Sequence, residues 1–220
     1  MHSIVVYTAF TKGYDILRMP PPHWRGNADF VAFLDEPEQH PFWDVRMIER
    51  KFSDPCRNAK IHKVLPHIYF PNAKYSIWMD GSIEAIATIG LQQLINTHLQ
   101  FHDLAIFEHR FRKCIYEEAE VCIASRKDTQ EVINRQMQKY RGEGYPVNNG
   151  LVEGGVLIRR HSEQVKRFNE TWHTEIVEHS RRDQLSFNYV ARKIGLQYKL
   201  LPGSFHGNPY FKLCSHDKYA

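Results

Sequence analysis

Short apolar runs alternate with helix-forming stretches along most of this 220-residue chain, and that alternation narrows the possible folds more than any other feature. The runs fall at 3–10, 29–35, 43–49, 75–79, 103–107, 151–158 and 197–201. They are short, bounded by turn residues and rich in β-branched and aromatic side chains, which predicts buried strands. Helical patterns fill 84–98, 116–125, 129–141, 162–177 and 182–194. Another helix opens at Asp54-Pro55 and stops before Pro66, with Asp as cap and Pro at the first helical position. Three prolines at 20–22 mark a loop. Parallel strands need long crossovers, so the alternation predicts an α/β fold: a mixed, mainly parallel sheet flanked by helices. The length suits one domain over 1–220, and no linker divides it.

In such sheets ligands bind beyond the carboxyl ends of the strands. The residues just after strands therefore carry the functional reading. Asp80 closes the 75–79 strand and is followed by Gly81; its carboxylate suits a hard cation such as Mg²⁺ or Mn²⁺, and equally a turn. His206 and Gly207 follow the last strand in a Gly/Pro-rich segment, where imidazole can ligate a metal or merely cap a loop. Asp183 and Gln184 open a helix, either as a cap or as groups facing a sugar. Gly154 and Gly155 interrupt a strand, which signals a bulge or a close approach, with Glu153 beside them. Arg57, Lys60, Lys63 and His67 place positive charge where a diphosphate could leave, or on a solvated helix face. The run from His109 to Tyr116-Glu117-Glu118 has no account from first principles.

Composition adds mild constraints. The net charge of +4 fits a cleft for an anionic ligand as well as surface lysines. No Lys/Arg-rich run or aromatic–basic motif points to nucleic acid. The four cysteines form no C-x-x-C pair, so isolated thiols are expected rather than a zinc site. No stretch reads as a signal peptide or reaches the roughly 18 apolar residues of a membrane helix, so a cytoplasmic protein with no transmembrane segment is expected.

Four segments in order, AKIHKVLPHIYFPNAKYSIWMDGSIE, AIFEHRFRKCIYEEAE, EGGVLIRRHS and RRDQLSFNYV, resemble the glycosyltransferase-like domain of plant mucilage- and pectin-related proteins and their bacterial and phage relatives. The resemblance covers nearly the whole chain. More distantly, Asp80-Gly-Ser82, Glu153-Gly-Gly-Val156, Asp183-Gln184 and His206-Gly-Asn-Pro209-Tyr210 are similar to segments of glycogenin-type retaining glycosyltransferases. Ser82 stands where that pattern has a second Asp, Glu153 where it has Asn, and no Lys precedes Pro209. The resemblance implies a GT-A-like, nucleotide-sugar-binding domain that moves a sugar from a nucleotide-diphosphate donor to a glycan or other hydroxyl acceptor, with retention. It implies Mn²⁺ or Mg²⁺ on Asp80 and His206, base contacts from Tyr7 and Thr8, and Asp183, Gln184 or Glu153 near the reacting carbon. A catalytically inactive member that binds nucleotide or glycan is the alternative; a nucleotidyltransferase is a weaker one, since TAFTKGYD lacks the expected Gly-rich loop.

Overall fold

The computed structural model describes residues 2–11 and 13–215. Strand β1 (Ile4–Phe10) is buried along its whole length, as its unbroken apolar run demands. It pairs in parallel with β2 (Asp29–Leu34) on one side and β4 (Tyr75–Met79) on the other. Beyond β2 lies β3 (Asp44–Met47), also parallel. β7 (Val152–Arg160) runs antiparallel to both β4 and β6 (Leu104–Glu108), and β8 (Lys199–Leu201) continues parallel to β6. The seven-stranded order is β3-β2-β1-β4-β7-β6-β8. The fold is therefore α/β with a mixed, mostly parallel sheet, as expected. Because β7 alone is reversed, its first residues meet the carboxyl ends of β4 and β6 at one edge.

Alternate side chains divide the core into two layers. Val5, Tyr7 and Ala9 face a cluster built with α1 (Pro55–Val64), α4 (Ile115–Ala124), α5 (Gln130–Gly142), α6 (Glu163–Glu178) and α7 (Gln184–Ile194). Ile4, Val6 and Phe10 face the other, where α3 (Leu91–His98) packs. A one-turn helix, α2 (Pro66–Tyr69), follows α1. The helix starts are local sequence events. Asp54 accepts the Cys56 N–H, Thr129 that of Val132, and Ser162 that of Val165.

Two elements depart from expectation. The stretch 84–98 is not one helix: β5 (Ile83–Ala85) comes first, and the helix starts at Leu91. β5 pairs antiparallel with β9 (Phe211–Leu213), a strand that no local pattern predicts. The partners are too far apart in sequence for local periodicity to reveal. β7 also runs two residues beyond its predicted end, through Arg159 to Arg160. The structure buries the Arg159 guanidinium completely. It donates to Asn169 Oδ1 at 3.2 Å, to the Lys63 carbonyl at 2.7 Å and to the Tyr7 hydroxyl, which itself donates to the Lys63 carbonyl at 2.9 Å. These bonds through Nη1 and Nη2 offset the burial of the charge, while Nε is buried without a hydrogen-bond partner.

Tyr7→Phe removes one acceptor from this guanidinium and should destabilise the fold by about 1–3 kcal/mol. A lower urea midpoint at unchanged slope is the expected reading. An unchanged midpoint would show that the hydroxyl is not part of what holds Arg159.

Candidate functional site

The last turns of α1 present Lys60 and Lys63 to the sheet edge, three residues apart and so on one face. Lys63 is almost fully buried. Asp183 meets both. It occupies the N-cap position of α7, yet its side chain makes no capping bond. Its carboxylate turns away instead: Lys60 Nζ donates to Oδ1 at 2.7 Å, and Lys63 Nζ lies 2.6 Å from Oδ2. Burial by itself would raise the Asp183 pKa, but Lys60, Lys63 and Arg182 outweigh it and hold the carboxyl far below the usual range. Burial likewise opposes the Lys63 charge, and the attraction of Asp183 and Asp80 reverses that, leaving the ammonium pKa raised.

Gly154 makes room for this cluster. A Cβ there would sit 3.0 Å from Lys63 Nζ and 3.2 Å from Asp183 Oδ2. Next to it, the Gly155 carbonyl accepts the Asp80 N–H at 2.8 Å, and a Cβ on Gly155 would strike the Phe205 ring at 2.6 Å. Both glycines thus mark close approaches, as glycines within strands tend to. Asp80 Oδ1 accepts the Trp78 indole N–H at 2.7 Å and lies 3.5 Å from Lys63 Nζ. The Asp80 side chain is 44% exposed and opens onto a cleft of about 580 Å³.

Among the described residues six cations line that cleft: Lys60, Lys63, Arg126, Lys127, Arg181 and Arg182. The acidic ones among the described lining residues are Asp15 and Asp80. The loops carrying the four outer cations are tied together. Arg181 donates its backbone N–H to Asp128 Oδ2 at 2.8 Å and its Nε–H to the Lys127 carbonyl at 2.9 Å. Arg182 Nη2 donates to Gln184 Oε1 at 2.6 Å, while its Nε is buried without a hydrogen-bond partner. Apolar surface from Phe10, Cys56 and Ala59, with half-exposed Tyr14, forms another wall. Such a cleft can take a ligand that carries phosphate at one end and a flat ring at the other.

Of the residues singled out in the sequence, the structure gathers Lys60, Lys63, Asp80, Gly154, Gly155 and Asp183. The others lie apart. Tyr7 is sealed in the core by Arg159, between Phe70 and Trp78, and does not reach the cleft. Thr8 points to the other face of the sheet, beside Leu17, Trp43 and Met79. Arg57 closes the end of α6, donating to the carbonyls of Ile176, Val177 and His179. His67 is buried against Glu170 and Asn169. Gln184 donates to the Val152 carbonyl at 3.2 Å. His206 is exposed on the Ser204–Gly207 turn. Among the described residues, no three His, Cys, Asp or Glu side chains come together to hold a metal ion.

Glu153 belongs to a second network, which explains the run beginning at His109. His109 Nδ1 accepts the N–H groups of Phe111 and Arg112 at 3.2 and 3.0 Å, and its Nε2 lies 3.2 Å from Arg112 Nη2. Burial pushes its pKa down, against Glu118 and Glu153, which keeps it neutral. Arg112 Nε donates to Glu118 Oε2 at 2.7 Å, and the Tyr116 hydroxyl to the Tyr145 carbonyl at 2.7 Å. The run staples the loop after β6 onto α4. Glu153 Oε1 accepts weakly from the Arg110 N–H at 3.4 Å, and its Oε2 is buried without a hydrogen-bond partner. The sequence reading missed Arg126, Lys127, Arg181 and Arg182. The last two stood inside a quoted motif, but the first two follow a helix and not a strand.

Asp183→Asn should cost about 3–5 kcal/mol, because it leaves two lysines at the edge without their counter-charge. Since the folded-state pKa is depressed, the Asp183 contribution is complete above the unfolded value of about 3.9 and is lost as pH falls below it. The stability gap between wild type and variant should stay constant from about pH 7 to 5 and narrow below about pH 4. A gap that does not change with acid would contradict the ion cluster.

Comparison with known proteins fits this geometry. The family model of the TOD1/MUCI70, glycosyltransferase-like domain matches residues 34–216. The chain is 32% identical over 172 residues to a probable hexosyltransferase, MUCI70, of Arabidopsis thaliana, covering 73% of this chain and 29% of that protein. It is 30% identical over 164 residues to the alkaline ceramidase TOD1 of the same plant, covering 69% of this chain and 35% of that one. The chain thus spans about a third of the length of these curated relatives. Among solved structures, a glycosyltransferase involved in the glycosylation of the major capsid of PBCV-1 superposes with a TM-score of 0.52 at 9% identity, over 98% of this chain and 96% of the other; that likeness is one of fold. A match across residues 34–216, with curated relatives above the 30% level, makes this chain a member of the TOD1/MUCI70 glycosyltransferase-like domain family.

Proposed function

We propose that this domain transfers a hexosyl group from a nucleoside-diphosphate sugar to a hydroxyl of a glycan acceptor, with the donor diphosphate in the basic cleft. The observation that carries the reading is the convergence of six cations on the carboxyl edge of the sheet, two of them already fixed by Asp183. In the reaction the bond from the anomeric carbon to the diphosphate oxygen breaks, and negative charge grows on the leaving group. Fixed cations in a partly dry cleft stabilise that charge without reorganising. The nucleobase would lie against Tyr14, Cys56 and Ala59, a role the resemblance implies for Tyr7 and Thr8.

With both oxygens against lysines, Asp183 is a positioning residue and not a nucleophile. Gln184 steadies Arg182 in the same way. Glu153 precedes Gly154 in the chain, but its carboxylate is buried against His109 and Arg110 and does not line the cleft. Transfer with retention is part of the proposal and is read from the anomeric configuration of the product. The probable hexosyltransferase relative supports the reading. The ceramidase named in the other relative would act on a neutral lipid amide, which a cleft lined by six cations does not favour.

The test is a thermal-shift panel of UDP, GDP, CDP and ADP and their common sugars. A ligand that binds the native state raises the melting temperature by mass action. One nucleotide class should stabilise the protein, Tyr14→Ala should weaken that ligand about three- to tenfold, and the matching nucleotide sugar should be turned over. Binding without turnover or donor hydrolysis would mark an inactive, nucleotide-binding member. No stabilisation by any nucleotide would remove the donor-site reading.

A further inference from the structure

A divalent cation was expected on Asp80 and His206, and the residues around Asp80 are a poor set for one. Asp80 Oδ1 already accepts the Trp78 indole N–H and faces the Lys63 ammonium at 3.5 Å. A dication bound there would sit against a buried positive charge. Ser82, where the resembling pattern has its second carboxylate, is a buried hydroxyl. Asp183 is committed to two lysines at 2.7 and 2.6 Å, and the buried carboxylate of Asp15 lies against Gly81. His206 is exposed on its turn. A Mg²⁺ ion in a phosphate site is held by one or two free carboxylates, with waters and the phosphates completing its shell. Here the described acidic residues along the cleft are Asp80, already turned to Trp78 and Lys63, and Asp15, and among the described residues no third His, Cys, Asp or Glu gathers with them.

The same place is well built for a different device. Lys63 is held rigidly: its aliphatic stem is buried, its ammonium lies over the Trp78 ring at 5.5 Å, and Asp183 fixes its position. Lys60 is fixed by the same carboxylate from the other side. Gly154 keeps open the space beside Lys63 Nζ that any side chain would fill. Arg182, next to Asp183 in the chain, lines the same cleft, with its Nη2 donating to Gln184 Oε1.

We propose that Lys63 and Lys60, cross-held by Asp183 and flanked by Arg182, take the place of a divalent cation and neutralise the donor diphosphate directly. The inference rests on the donor-site reading above and deepens it. Each lysine keeps N–H groups free of Asp183, because an ammonium has three donors. The phosphate oxygens accept from these, and the charge is balanced by residues of the chain alone. Asp80 then bounds the phosphate site rather than binding a metal, and its negative charge limits how tightly the diphosphate sits.

Titration calorimetry tests this with the nucleoside diphosphate that stabilises the protein, in EDTA and again in Mn²⁺. The affinity should agree within about threefold between the two conditions, whereas Lys60→Gln should weaken it about tenfold and Lys63→Met further still. Asp80→Asn should tighten binding by severalfold. Lys63→Arg, which preserves charge, separates lost binding from failure to fold and should retain part of the affinity. Binding that requires Mn²⁺, together with its loss in Asp80→Asn, would overturn the proposal and restore the metal site. Absence of nucleotide binding under both conditions would instead overturn the donor-site reading, and the proposal with it.

Discussion

Asp183 and its two lysines form the interaction on which the rest of this edge depends. Three charged groups are withdrawn from water where α1, α7 and the start of β7 meet, and a buried ion pair is worth having only when its geometry is good. The chain meets that condition in three ways. Lys60 and Lys63 leave α1 from one face, Asp183 gives up its capping bond to reach them, and Gly154 contributes no side chain that would push them apart. An N-cap aspartate ordinarily stabilises its own helix. One that forgoes the cap does so because two ammonium groups offer more, and the helix start is left to other contacts.

Strand polarity explains why the cluster lies where a ligand can reach it. With β1, β4 and β6 pointing the same way and β7 reversed between β4 and β6, the strand-end Asp80 meets the first glycines of β7. That junction admits backbone close to backbone and leaves a cleft between the loop after β1, the end of α1 and the arginine loops. The buried Arg159 then ties β7 to the carbonyl end of α1 from beneath, through Tyr7 and the Lys63 carbonyl. Lys63 is therefore fixed at both ends: its backbone by Arg159 and its ammonium by Asp183.

Much of the architecture was legible in the sequence because strands and helices write their periods locally. The helix opened by Asp54-Pro55 is capped by Asp54 as expected, and the helices over 129–141 and 162–177 start where predicted, capped by Thr129 and Ser162. The β5–β9 pair was not legible, since neither strand is long and each depends on a partner far along the chain. For the cleft, Lys60, Lys63, Asp80, Gly154 and Asp183 carried signals in their spacing and in their places after strands or at helix starts. Tyr7 and Thr8 were misplaced because a strand end does not say which face a side chain takes, nor that Arg159 would claim the tyrosine hydroxyl. Arg57 and His67 share a basic stretch with the lysines, but a helix turns neighbours in different directions, and theirs lead to α6. Arg126 and Lys127 were missed because the loop after a helix is distant in sequence from every strand end that frames the cleft.

The central claim is that the charge cluster at this edge receives a donor diphosphate. A crystal structure of the domain with a bound nucleoside diphosphate tests it most directly. The account predicts phosphate oxygens within hydrogen-bond distance of Lys63 Nζ and of Lys60 or Arg182, with the base on the Tyr14 side of the cleft. A diphosphate bound away from these residues, with Asp183 and the lysines undisturbed, would contradict it.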